Sequence, residues 1–197
     1  DFIVPGIILM QVITSSYSNV VSSFFGAKFQ HSIEEILVSP TPNYIILLGY
    51  IMGGVSRGII VGLIVTVVSL FFSDLRIYNV GILISMVVLT AVLFSLGGFT
   101  NAMFAKSFDD VSIVPTFVLT PLTYLGGIFY SIHLLPSFWQ GVSLGNPILY
   151  MINAFRFGFL GISDISLWIS YLIVSIFIIG LFMINLYFLQ RGHGIRN

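Results

Sequence analysis

The chain has 197 residues, 57% hydrophobic and only 7% charged, with a mean hydropathy of +1.09. Soluble domains carry about 25% charged residues, so this balance calls for a bilayer as solvent. Seven basic and seven acidic residues give zero formal charge, which excludes the basic footprint of a nucleic-acid binder, and the lack of cysteine excludes disulfides, thiol catalysis and cysteine-ligated metals.

Five apolar segments, residues 3–25, 44–72, 80–104, 111–130 and 165–189, come near or exceed the roughly 20 residues that a membrane-crossing helix needs. Helices are expected, because an open strand would leave its backbone unsatisfied in lipid, and the alternation of a membrane barrel is absent. Asp1 opens the chain without a basic leader region. An odd number of spans fits a chain whose first cytoplasmic segment and first helix are missing.

The loop at residues 26–42 contains HSIEEILVSPTP. Ser32 and Glu35 have the spacing of a capping box. Ile33, Ile36 and Leu37 would share one apolar face, and Pro40 and Pro42 stop the helix. A helix this short is marginal alone and is expected to dock on something.

Segment 44–72 is too long for a perpendicular span and holds Arg57, which either snorkels to the interface or lines a pathway. Gly49/Gly53 and Gly54/Gly58/Gly62 let helix backbones approach, within one subunit or between subunits. Segment 111–130 contains Pro115, Pro121 and Gly126-Gly127. Such a broken helix marks a transport pathway or merely fits its bundle. Residues 132–164 are punctuated by Pro136, Gly141, Gly145, Pro147, Gly158 and Gly161, and read as short helices dipping into the outer leaflet. Trp139, Tyr150 and Trp168 suit the interfacial belt.

Lys28, Lys106, Arg191 and Arg196 fall on one side by alternation, and Arg76 and Arg156 on the other. The excess places the 26–42 loop and the C-terminus in the cytoplasm.

Chemistry is sparse. His31, His133 and His193 occupy three separate loops without metal-ligand spacing. Ser131, His133 and Asp164 have the residue types of a nucleophile, base and orienting acid, but nothing in the sequence brings them together, and a polar interfacial loop is the plainer reading. Asp109 and Asp110 suit a helix start. Both lysines follow alanine, so no GxxxxGK[ST] phosphate loop exists. No acid lies inside an apolar segment, which argues against a proton-relay transporter.

The order FIVPG, EEILVSPTP, LTYLGGIFYSIHLLPSFWQ and NPILYMINAFR resembles the type-2 family of ABC transporter permeases. Leu119, Leu122, Leu125, Gly126, Ile128, Leu135-Pro136, Pro147-Ile148, Tyr150 and Arg156 meet the family's C-terminal pattern. The resemblance implies an all-α integral membrane protein, with residues 1–197 forming one permease domain that shows five of six transmembrane helices. It also implies re-entrant outer helices within 132–164 and a coupling-helix loop at 26–42. In that loop Ser32, Ile33, Glu34, Glu35, Ile36, Leu37, Ser39 and Pro40 would meet a separate ATP-binding subunit.

The implied protein is the multi-pass permease of a bacterial-type inner-membrane exporter of glycans, lipids or drugs. Its partners would be the ATP-binding subunit, a second permease copy and membrane lipids, with no nucleic acid. ATP and magnesium would sit on the partner, and this chain would hold no cofactor, metal or catalytic residue. Arg57, Pro115 and Pro121 remain pathway or packing residues. An ion-coupled secondary transporter or channel is the alternative.

Overall fold

A computed structural model of the chain describes residues 2–73 and 77–192. Helices account for all the regular structure among these residues. Four are long and apolar enough to cross a membrane: α1 (Val4–Phe29), α3 (Asn43–Ser69), α4 (Val80–Phe104) and α9 (Leu167–Arg191). The short helix α2 (Ser32–Val38) lies between the first two. The chain is an all-α membrane protein, as its composition demands.

The helix ends follow local chemistry. Pro5 sits in the first turn of α1, where its missing N–H costs nothing. The Asn79 side chain caps α4 by accepting from the Ile82 N–H. Gly192, at φ 67°, closes α9 in the left-handed conformation that glycine tolerates. Helix α1 runs past the predicted end at residue 25, because Gly26 and Ala27 permit it and Lys28 finds partners beyond it.

The predicted span at 111–130 is a helix in three consecutive pieces: α5 (Phe108–Val114), a π-turn (Pro115–Leu119) and α6 (Thr120–Leu125). Pro121 has no N–H for the Phe117 carbonyl, so the regular ladder fails there. The Thr120 N–H reaches the Pro115 carbonyl instead, and the Thr120 hydroxyl donates to the same oxygen at 2.9 Å. Outside it, a 3₁₀ turn (Ile132–Leu134), α7 (Ser137–Leu144) and α8 (Pro147–Leu160) occupy the region expected to hold short helices.

Helix α1 is the centre of the bundle, packed between α3 and α4, with α8 also against it. Close approach needs glycine. A Cβ on Gly98 of α4 would lie 2.6 Å from the Tyr17 carbonyl, and one on Gly54 of α3 would lie 2.6 Å from Val20 Cγ2. Gly54, Gly58 and Gly62 therefore pack within one subunit, whereas Gly49 has no neighbour within 4 Å. Phe24 fills the space between, its ring 4.4 Å from Phe99 and 5.2 Å from Tyr50 between centroids. Helix α9 is largely exposed and held by polar contacts. Asn185 donates to the Leu96 carbonyl at 3.0 Å and accepts from Thr100 at 2.8 Å, each such bond contributing about 0.6 kcal/mol in a bilayer.

Candidate functional site: a docking helix and a polar cleft

The chain reverses between α1 and α2 through His31, whose φ of 58° is the one positive value at a non-glycine among the described residues. This turn lays Ser32 back over the end of α1, where helix carbonyls lack partners, and its hydroxyl donates to the Ala27 carbonyl at 3.2 Å. The capping box expected from Ser32 and Glu35 is consequently not formed: His31 is the N-cap and no side chain caps the helix. The capping box of this fold lies at α5. There Ser107 Oγ accepts from the Asp110 N–H at 3.2 Å, and the Asp110 carboxylate accepts from the Ser107 N–H at 3.0 Å.

The expected apolar face of α2 is also divided. Ile33 is buried at 2% exposure and anchors the helix, while Glu34, Glu35 and Ile36 are exposed. The side chain of Leu37 lies outside the described residues. Ser39 Oγ donates to the Ile36 carbonyl at 2.6 Å and meets Thr41 Oγ1 at 2.9 Å, so α2 ends just before the exposed Pro40. His31 Nδ1 and Glu34 Oε1 stand 3.3 Å apart. What remains outward is a small acidic and apolar surface.

A second feature went unread in the sequence. On α1, Gln11, Thr14, Ser18 and Ser22 are exposed, with Ser15 half-buried beside them. Their spacing of three and four residues places them on one helix face. On the broken helix, Ser112, Thr116 and Thr120 are exposed at fourfold spacing. Ser18, Ser22, Ser112 and Thr116, with Tyr17, Val21, Val111 and Pro115, line a cleft of about 330 Å³ between the two helices. Its lining carries hydroxyls and no formal charge. The Ser22 hydroxyl donates to the Asn19 carbonyl at 3.0 Å and that of Ser112 to the Phe108 carbonyl at 3.3 Å, which leaves their oxygen lone pairs free to accept from water or a polar solute in the cleft. The signal was a helical period of polar residues inside a span, which a search for apolar runs passes over.

The family-pattern residues form a brace at the other end. Arg156, counted with the charges of the loop before the last span, is buried in α8 at 2% exposure. Its Nη2 donates to the Gly127 carbonyl at 2.7 Å, and its guanidinium lies 3.8 Å from the centre of the Phe2 ring. The fold turns α8 inward, so this cation holds a turn instead of facing water. A Cβ on Gly126 would come 2.6 Å from Ile148 Cγ2. Pro136 and Pro147 begin α7 and α8, Leu135 ends the 3₁₀ turn, and the Tyr150 hydroxyl donates to the Leu144 carbonyl at 2.7 Å.

Ser131 and Asp164 do meet. The Ser131 hydroxyl donates to the Asp164 carboxylate at 2.7 Å, and the Asp164 N–H donates to Asn153 at 3.1 Å. The serine proton is thus committed to the acid and not to His133, and the pair works as a clasp between the segment after α6 and the segment after α8. Arg57 stands exposed near the middle of α3, and Pro115 and Pro121 bound the π-turn region. No group of three or more potential metal ligands occurs among the described residues. Arg76, His193 and Arg196 lie outside them.

The sequence pattern of the ABC-2 type transporter family matches residues 1–160, from α1 to the end of α8. The chain belongs to this family. It is similar, at 57% identity over 197 residues, to the inner membrane transport permease YadH of Escherichia coli (strain K12), covering 100% of this chain and 77% of the relative. The same identity and coverage hold for the inner membrane transport permease YadH of Shigella flexneri. The permease is thus a multi-pass transport subunit, and membership carries with it an ATP-binding partner in general. Both α2 and the polar cleft of this permease fall inside the matched region.

Proposed function

We propose that this permease is the membrane subunit of an ATP-driven exporter in the inner membrane, coupled to a separate ATP-binding subunit. The observation that carries the reading is α2. Its inner residue Ile33 is fixed in the bundle, Glu34 and Glu35 are exposed, and the partly exposed Ile36 borders an open groove along α3 with Ile45 and Tyr50. A seven-residue helix held by one side is a lever that still lacks what it docks on.

In this reading Ser32 to Pro40 sit against the ATP-binding subunit on the cytoplasmic side, where the C-terminus also lies. From Val111 onward α5, the π-turn and α6 together make a fifth crossing, with Asp109 and Asp110 at the membrane surface, and α7 and α8 are re-entrant from the outer side. Two permease copies work together. A glycan, lipid or drug-like substrate moves along the hydroxyl-lined cleft when nucleotide-driven closure of the partners displaces α2. ATP and magnesium are bound and consumed by the partner alone.

The test is recruitment. The detergent-solubilised permease should co-purify with its ATP-binding subunit, and the double substitution Glu35→Lys with Ile36→Asp should abolish the association while leaving membrane insertion normal. Unchanged association would sink the docking role. An ion gradient that drives transport after ATP is depleted would favour a secondary transporter.

A further inference from the structure

Lys28 stands in the last turn of α1, immediately ahead of the docking helix. Its ammonium donates to the Met103 carbonyl at 2.7 Å and to the Ala105 carbonyl at 2.9 Å. These oxygens belong to the end of α4, where helix carbonyls have no partner of their own and a cation meets the negative end of the helix dipole. A lysine within a span is often left to snorkel into water. This one is instead fastened to another helix.

Three further contacts converge on the same place. Ser32 ties α2 to the Ala27 carbonyl, next to Lys28. Asn101, on the last turn of α4, donates to the Val111 carbonyl of α5 at 3.2 Å. The Phe108 ring of α5 closes on Phe25 and Phe29 of α1, with centroids 5.0 and 5.2 Å apart. The docking helix, the end of α1, the end of α4 and the start of α5 are therefore linked. Beyond this junction lie the π-turn and the polar cleft.

We infer that Lys28 is a positioning residue that carries movement of α2 into α4 and α5, so that ATP-driven displacement changes the width of the cleft between α1 and α5. The inference rests on the ATP-coupled reading above. Helices α1 and α4 stay packed through Tyr17 and Gly98, so what the two Lys28 bonds add is control of the last turn of α4, and without them Asn101 and the Val111 carbonyl no longer follow the end of α1. A bound ATP-binding subunit then cycles without its effect reaching the cleft.

These 197 residues contain no cysteine, so no thiol within them competes with an introduced cross-linking pair. Ser22→Cys and Ser112→Cys place thiols on opposite walls of the cleft. In the complex reconstituted with its ATP-binding subunit, ATP and magnesium should change the rate of bismaleimide cross-linking about fivefold or more, the scale of a typical coupling energy. In the Lys28→Met background that dependence should disappear, while subunit association and basal ATP hydrolysis persist. Lys28→Arg, which still donates, should restore it.

A static cap predicts something else: a lower unfolding temperature for Lys28→Met with the ATP dependence intact, which would overturn the proposal. Loss of the ATP-binding subunit from that variant would also overturn it, by placing Lys28 in docking. Asn101→Leu breaks the next link and guards against a folding defect at Lys28. It should abolish the ATP dependence too, and retention of it there would count against the relay. If Glu35→Lys with Ile36→Asp leaves association unchanged, it is the ATP-coupled reading beneath the relay that fails.

Discussion

Arg156 donates from Nη2 to the carbonyl of Gly127 at 2.7 Å, tying α8 to the turn that ends α6. Gly127 adopts a φ of 77°, a backbone state that places its carbonyl toward α8 and that other residues rarely accept. Removing the guanidinium leaves that carbonyl unpaired in a buried setting. Arg156→Met should therefore cost about 1.5–3 kcal/mol, the range for hydrogen bonds to charged groups. Arg156→Lys should recover only part, since an ammonium lacks the flat face that lies over Phe2. Thermal unfolding in detergent measures both, and a change under about 0.5 kcal/mol in the methionine variant would contradict the brace.

Two glycines should respond in opposite ways to alanine. At Gly98 the new Cβ would press on the Tyr17 backbone carbonyl, which cannot swing aside, so α1 and α4 must separate. Overpacking of this kind costs about 1–3 kcal/mol. At Gly180 on α9 nothing lies within 4 Å, and alanine should be neutral or stabilise by up to about 1 kcal/mol through helix propensity. Paired unfolding curves of the two variants check the packing of α1 against α4.

Ile33 and Ile36 differ by one helical turn and should separate folding from docking. Ile33→Asp buries a carboxylate in the bundle and should lower stability or expression. Ile36→Asp changes an exposed site and should leave unfolding unchanged while weakening association with the ATP-binding subunit about tenfold, or 1.4 kcal/mol. Equal effects of the two substitutions on stability would mean that α2 does not present Ile36 outward.

The start of α5 should titrate. The Lys106 N–H at 2.9 Å and the Ser107 N–H at 3.0 Å donate to Asp110 Oδ2, and these bonds hold the carboxyl below its ordinary value of 3.8. A depressed folded-state pKa contributes stability that is complete above the unfolded value and is lost as pH falls through the folded one. The stability difference between the wild type and Asp110→Asn should thus be constant at neutral pH and close below pH 3.8. A gap that widened on acidification would refute the assignment.

The cleft should be wet. Single cysteines at Ser18 and Thr116 should react with a charged, membrane-impermeant thiol reagent, while one at the exposed Ile179 of α9 should not, because hydrocarbon excludes the reagent. Equal protection at all three positions would mean that protein or lipid covers the hydroxyl face.

Composition and pattern were enough for much of this molecule. Apolar runs of crossing length have one economical solution in lipid, the helix, so α1, α3, α4 and α9 were legible within a few residues. Membership of the ABC-2 type family was legible too, because its pattern is local and depends on residues such as Leu135-Pro136 and Pro147-Ile148. The proline break in 111–130 could be seen, but not that Thr120 would bridge it to Pro115 as a π-turn.

What the sequence left open was decided by where elements come to lie. Ser32 and Glu35 satisfy a local capping rule, yet the reversal at His31 brings the Ala27 carbonyl within reach and the rule loses to it. Arg156 counts as a loop charge until α8 folds inward. Lys28 and the end of α4 are 75 residues apart in the chain, and the polar rows on α1 and α5 become one cleft only when the fold sets the two helices across from each other. Local spacing determines which groups share a face. Only the tertiary structure determines what that face meets, because the free energy of a polar group depends on whether it finds a partner, water or lipid.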